Sequence, residues 1–374
     1  MPNGQWYPPE WPERIRALAA GEITAATPRR AATVMLLRDD AGGSDGPAPL
    51  SAGPAPASAP YSGDGLAVHM LRRRASMAFA AGAYAYPGGG VDPRDDDRLV
   101  GWAGPGREVW ARRLGVDAAS AQAIVCAAVR ETYEEAGVLL AGETAGTVVD
   151  DTTGDGWETD RAALVDRELS FADFLDRRGL VLRSDLLGAW ARWITPEFEP
   201  RRYDTWFFVA ALPAGQRTRN ASTEADRTVW IRPAEATEAY DRGELLMMPP
   251  TVSTLRELRS YGTAAEALAG ADGRDLTPVL ATARLEGGEL VLSWPGHDEF
   301  TKRLDATGPD GPGGGGRTDS ARPADAAGPT GPVGPADPAD PADPADSADS
   351  AGSGGPVDPD RSADSAGRAE RSPR

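Results

Sequence analysis

The chain has 374 residues, with 57 acidic and 39 basic side chains, and a formal charge of −18. That balance argues against nucleic acid or an anionic membrane as the main partner, because both reward a basic face. The single cysteine, Cys126, excludes an intramolecular disulfide and a Cys-rich zinc site.

Residues 1–27 form an N-terminal extension that lacks the basic and apolar regions of a signal peptide. No apolar run approaches the ~20 residues that span a bilayer, so a soluble, cytoplasmic protein is expected. Ala31 to Arg38 has strand character, and 40–64, rich in Ala, Pro, Gly and Ser, reads as a low-complexity loop. Leu66 to Leu71 resumes the strand pattern, which predicts a hairpin with an expanded connection. Its residue His69, like the distant His297, reads as an ordinary surface or edge histidine. Ala83 to Tyr86 then leads into Pro87-Gly88-Gly89-Gly90, a cluster that permits close backbone approaches.

Ala119 to Leu140 is predicted helical, capped by Ser120, striped by Ile124, Val125, Ala128 and Val138, and stopped by Gly137. Phe171–Arg178 and Leu186–Trp193 are predicted as further helices. Tyr203 to Leu212 is the strongest strand of the chain, and Thr228–Ile231 another. Helical patterns follow over Ala234–Asp241 and Val252–Tyr261, then a hairpin of Pro278–Leu285 with Glu289–Trp294. Trp193, Trp206 and Trp230 read as core or core-edge residues rather than base-stacking platforms. The mixture predicts an α/β or α+β domain over 28–300. Residues 301–374 carry 12 prolines, 13 glycines and no aromatic side chain, with a Pro-Ala-Asp repeat from Pro335. Such a tail cannot bury enough apolar surface to offset chain entropy and is expected to be disordered.

The chemistry concentrates in Arg130-Glu131-Thr132-Tyr133-Glu134-Glu135-Ala136-Gly137-Val138. On a helix Glu131 shares a face with Glu134 and Glu135, and like charges at that spacing repel. An acidic surface screened by Arg130 and solvent is one reading. The other is a site for a hard divalent cation such as Mg²⁺ or Mn²⁺, which prefers carboxylate and phosphate oxygens.

The order Arg-Glu-x-x-Glu-Glu-x-Gly-aliphatic resembles the second half of the Nudix box, whose full form begins Gly-x5-Glu-x7. Gln122 stands where the compact box has its first Glu, and Val116 where it has its Gly. The glycine is therefore expected in Pro87-Gly88-Gly89-Gly90, with an insertion near 91–119 that could form a small helical excursion over the site. A box split in this way looks like the branch that includes the organellar coenzyme A diphosphatases. Their signature is matched by Arg73, Gly82 and Tyr86-Pro87-Gly88-Gly89, with Ala78 in place of a second arginine.

This resemblance implies a Nudix-type α/β/α sandwich that cleaves a diphosphate linkage in a small-molecule substrate, with coenzyme A or acyl-CoA first in line. ADP-ribose, NADH or a nucleotide sugar is the alternative substrate class, and a non-catalytic binding module the alternative role. Glu131, Glu134 and Glu135 would hold Mg²⁺ or Mn²⁺, and Arg130 would orient a box carboxylate. Glu224 matches the place of an added acidic ligand or base, and otherwise reads as an exposed loop acid. Glu197 and Glu199 are weaker candidates for that role. Arg73, Arg201 and Arg202 are candidate phosphate donors; Arg201 and Arg202 read first as surface residues opening a strand.

Overall fold

The structure, a computed structural model, describes residues 7–40, 65–76, 80–95, 100–286 and 289–304. The expected loop after Asp40, the Ala78 departure and the tail from 305 onward lie outside the described residues.

In chain order the elements are helix α1 (Trp11–Ala19) and strands β1 (Arg29–Asp40), β2 (Gly65–Arg73), β3 (Tyr84–Ala85), β4 (Gly88–Gly90) and β5 (Trp102–Ala103). Helices α2 (Arg107–Leu114) and α3 (Ala118–Ala136) follow, then β6 (Ala141–Gly142), α4 (Asp155–Val165), α5 (Phe171–Arg178) and β7 (Val181–Arg183). Strands β8 (Gly188–Ile194), β9 (Tyr203–Ala211) and β10 (Ala225–Ile231) precede helices α6 (Pro233–Asp241), α7 (Pro249–Leu258) and α8 (Ala264–Gly270). Strands β11 (Val279–Leu280), β12 (Thr282–Glu286), β13 (Glu289–Ser293) and β14 (Lys302–Leu304) end the series. None of the described helices is long and apolar enough to cross a membrane.

The main sheet runs β10-β2-β1-β9-β8-β11, with β3 added to β2 and β4 to β1. Side chains alternate across a strand, and β1 feeds two cores in this way. Met35 and Leu37 enter one, while Ala32, Val34 and Leu36 enter the other. In β9, Phe207 and Val209 go to the first core, and Trp206, Phe208 and Ala210 to the second. Helices α1, α6, α7 and α8 cover the first face, and α2, α3 and α5 cover the second, giving an α/β/α sandwich. The long apolar run at 203–212 is thus a central strand buried on both faces.

Four expectations are corrected. Leu186–Trp193 is not a helix: Gly188–Ile194 pairs antiparallel with β9. A register shift between Ala189 and Ala191 breaks the two-residue alternation there, and the Ala- and Leu-rich composition then imitates a helix. Asp117, not Ser120, caps α3, accepting from the Ser120 backbone N–H at 2.9 Å. The helix ends at Ala136, with Gly137 left-handed (φ +70°), and Val138–Leu140 continue as a buried non-helical segment. His69 is no surface residue: it is 1% exposed on β2, with Trp230 packed edge-on and no hydrogen-bond partner at either ring nitrogen. Burial, and secondarily the charge of Arg38, lower its pKa to about 3, so the ring is neutral.

Among its described residues, the stretch at 91–119 holds the short strand β5 and helix α2. Helix α2 packs beside α3 and sends Trp110 and Leu114 into the second core, where Trp110 meets Phe208 edge-on.

Candidate active site

The sheet splits where β1 leaves β2. Toward its N-terminal end, β1 pairs instead with β4, in the register Thr33 to Gly88, Ala32 to Gly89 and Ala31 to Gly90. The glycines are required by close contact. A Cβ on Gly88 would lie 2.4–2.7 Å from atoms of Thr33 and Ala32, and one on Gly89 would lie 2.6–2.8 Å from the Glu131 carboxylate. The last turns of α3 pass directly over this glycine strand, and the Gly88 N–H donates to Glu135 Oε2 at 2.8 Å.

Arg130 organises the other carboxylates. Its Nε and Nη2 donate to the two oxygens of Asp95, each at 3.1 Å, and Nη2 also reaches the Gly90 carbonyl at 2.9 Å. Nη1 donates to Glu131 at 2.9 Å and to Glu134 at 3.2 Å. Asp95 is 4% exposed, on a single 3-10 turn (Pro93–Asp95), and also accepts the Asp92 backbone N–H.

Asp95 escaped the sequence reading, although a signal was present. It lies six positions after Gly89, the Gly-x5-acid spacing of the box, with Asp for Glu. Gly89 and Asp95 thus keep the spacing of the first half of the box, and the extra chain then follows Asp95. Gln122, buried on α3, and Val116 do not occupy box positions.

Burial pushes all four carboxyls upward. Glu131 rises to about 7, with burial the largest cause, Arg130 opposing and Glu134 adding to the rise. Glu134 and Asp95 are raised by burial against the pull of Arg130. Glu135 is raised well above the ordinary carboxylate range by burial and then by the Glu131 charge. Burial would lower Arg130, but Glu131, Asp95 and Glu134 together raise it.

The loop from Leu212 to Glu224 closes one side. The Ala221 N–H donates to the Glu135 carbonyl at 3.3 Å, and Ser222 Oγ lies 3.5 Å from Glu135 Oε1. Glu224 follows, half-exposed, with its carboxylate 3.6 Å from Arg73 Nη1. Arg73 is on the side of β2 facing these groups; its neighbour Arg72 turns the other way onto Asp226 at 2.7 Å. Arg130, Glu131 and Glu134 are joined by ion pairs, Arg73 and Glu224 by another, and the charges of Glu131, Glu224 and Arg73 all act on Glu135.

Arg201 and Arg202 have no recorded contact with these residues. Arg201 is exposed, whereas Arg202 is 7% exposed and donates to the carbonyls of Thr195 and Ala26. Glu199 accepts from Trp11 Nε1 and Arg14, so it anchors α1, and Glu197 has no recorded contact with the acidic group. Trp193 and Trp206 are buried; Trp230 sits at the core edge, with Arg38 4.5 Å from its ring and its Nε1 donating to Thr218.

Four carboxylates against one guanidinium form an oxygen-only donor set in negative excess, which suits a hard divalent cation. In the conformation seen, Glu131 and Glu134 turn to Arg130 and Glu135 to Gly88. Among the described residues no three acidic, histidine or cysteine side chains are gathered as ligands.

Comparison with known proteins agrees with this geometry. The family model of the NUDT19 Nudix domain matches residues 109–258. Putative nudix hydrolase 7 of Caenorhabditis elegans is 26% identical over 196 residues, covering 51% of this chain and 55% of its own. Acyl-coenzyme A diphosphatase NUDT19 of Xenopus laevis is 27% identical over 202 residues, covering 49% and 52%. The chain therefore spans about half the length of these two relatives. The human protein of the same name is 27% identical over 304 residues, covering 67% and 78%. A NUDIX hydrolase of Alicyclobacillus acidocaldarius superposes with a TM-score of 0.50 and 25% identity over 65% of this chain and 96% of that one. A matching domain model, named relatives and a shared fold lead to one assignment: the chain carries, over 109–258, a domain of the Nudix hydrolase superfamily and resembles its NUDT19 branch.

Proposed function

We propose that this protein hydrolyses the diphosphate linkage of a coenzyme A derivative, using Mg²⁺ or Mn²⁺ held by Glu131, Glu134 and Glu135. The observation that carries the reading is the clasp of Asp95, Arg130, Glu131 and Glu134 beneath Gly88–Gly90, which supports the box arrangement at its expected spacing. A bound divalent ion would neutralise diphosphate charge and lower the pKa of an attacking water.

The chain's own groups do the rest. Arg130, fixed by both oxygens of Asp95, holds the carboxylates of Glu131 and Glu134 in place through charge-assisted bonds. The Gly88 N–H does the same for Glu135. In this reading Glu224 takes a proton from water or adds an oxygen ligand. Its partner Arg73 offers a guanidinium to a phosphate oxygen, in exchange for the 3.6 Å contact with Glu224. Arg202 supports the start of β9 through its two carbonyl contacts rather than reaching substrate.

The coenzyme A preference is supported by the named relatives and by Arg73, Gly82 and Tyr86–Gly89. Ala78, where the signature has a second arginine, favours a second reading in which ADP-ribose, NADH or a nucleotide sugar is the substrate. Product formation from acyl-CoA, CoA, ADP-ribose, NADH and nucleotide sugars with Mg²⁺ or Mn²⁺ separates the two. We expect the highest kcat/KM on a CoA compound and its loss in Glu134→Gln. Folded protein that turns over none of them would leave only a Nudix-fold binding module.

A further inference from the structure

Helix α4 packs against the box helix, and its residue Arg161 is engaged in a way the box motif does not explain. The side chain is buried, and its Nη1 donates both to the Glu134 carbonyl at 2.8 Å and to the Ala221 carbonyl at 3.1 Å. Those two acceptors belong to different segments: the last turn of α3, and the loop that carries Ser222 and Glu224. The Glu158 carboxylate holds Arg161 through Nε and Nη2 and also accepts Arg219 Nη2 at 3.1 Å from the same loop.

Backbone bonds also tie this junction, beside the Ser222–Glu135 contact and the Gln216 side chain, which bonds both the N–H and the carbonyl of Leu139. Arg219 N–H donates to the Ala136 carbonyl at 3.1 Å, and Ala221 N–H to the Glu135 carbonyl. The final carbonyls of a helix lack intrahelical partners. Here they are satisfied by the loop, while Arg161, from a third element, bonds both the helix turn and the loop. We infer that Arg161, held by Glu158, is a positioning residue that fixes Glu224 and Ser222 against Glu135 by stapling the 213–224 loop to the end of the box helix. It touches neither the proposed metal nor the substrate. The inference rests on the proposed hydrolase reading for its catalytic consequence, but its structural content is independent of any turnover.

The full chain is compared with Arg161→Ala, Arg161→Lys and Glu224→Gln by amide hydrogen exchange, Mn²⁺ titration and turnover. In Arg161→Ala the amides of Arg219 and Ala221 are expected to exchange about tenfold faster or more, while amides of β1 and β9 keep their protection. Mn²⁺ affinity falls roughly three- to tenfold, and Arg161→Lys recovers part of both. If the wild type turns over substrate, Arg161→Ala lowers kcat about tenfold with KM nearly unchanged. Adding Glu224→Gln to Arg161→Ala then costs little beyond Glu224→Gln alone. Wild-type protection at Ala221 together with unchanged Mn²⁺ affinity in folded Arg161→Ala overturns the inference, as do fully additive losses in the double variant. An inactive wild type removes the hydrolase reading alone, because exchange and Mn²⁺ binding still decide the role of Arg161.

Discussion

Arg130 is surrounded by more negative charge than it can neutralise, and Asp95 is the member of that set with the firmest hold on it. Bidentate carboxylate–guanidinium pairs are strong and geometrically specific. Asp95→Asn keeps the shape but removes the charge and one acceptor oxygen. It is expected to lower stability by about 2 kcal/mol and kcat by roughly 10- to 100-fold, read by denaturant unfolding and by kinetics. An unchanged kcat would detach Asp95 from the site. His69 makes the opposite case, a polar ring buried with no partner. His69→Leu removes that unsatisfied group and should stabilise the fold by about 1–3 kcal/mol. The sign with pH follows from the lowered pKa. The neutral ring's contribution is fully present above its ordinary value of 6.5 and is lost as pH falls toward about 3. The variant's advantage over wild type must therefore widen from pH 7 to pH 4. A constant difference across that range would contradict a buried, partnerless His69.

At the scale of elements, β4 shows how one strand divides structural from chemical constraint. A Cβ at Gly88 meets backbone of Ala32 and Thr33, whereas at Gly89 it meets only the carboxylate end of Glu131. Gly88→Ala should therefore disrupt the β1–β4 pairing and lower the thermal midpoint. Gly89→Ala should leave the midpoint within a few degrees while raising the metal concentration needed for half-maximal activity several-fold. The reverse ranking would mean that β4 does not abut Glu131 as described. The same elements show what was legible in sequence. The close approach at the glycine cluster, the helix stop at Gly137 and the central strand at 203–212 follow from local chemistry: the missing Cβ, a left-handed cap and unbroken apolarity. β8 was not legible, because its bulge hides the strand period and its pairing with β9 overrides the helix propensity of Ala and Leu. Asp95 was concealed by the thirty-four residues between it and Arg130, and the Arg161 junction by its dependence on contacts 27 and 60 positions apart.

For the whole molecule, the charge of −18 matters less than the part of it held under low solvation at one end of the sheet. Glu131, with an ordinary value of 4.5, is raised to about 7, and Glu134 and Glu135 move in the same direction. A raised carboxyl binds a proton that the unfolded chain has already released. Its contribution to stability is therefore present below about pH 4.5 and is lost as pH rises through about 7. A divalent ion competes with those protons, binding the folded state only and more tightly as they leave. The metal-free protein should thus lose stability between pH 5 and pH 8 at a rate that Glu131→Gln reduces. Saturating Mn²⁺ should restore it, by about 2.7 kcal/mol at a hundredfold excess over its dissociation constant. The rise in thermal midpoint on adding Mn²⁺ should be small at pH 5.5 and large at pH 8. An increment independent of pH would place the ion elsewhere on the acidic surface, where carboxylates are already ionised at both values.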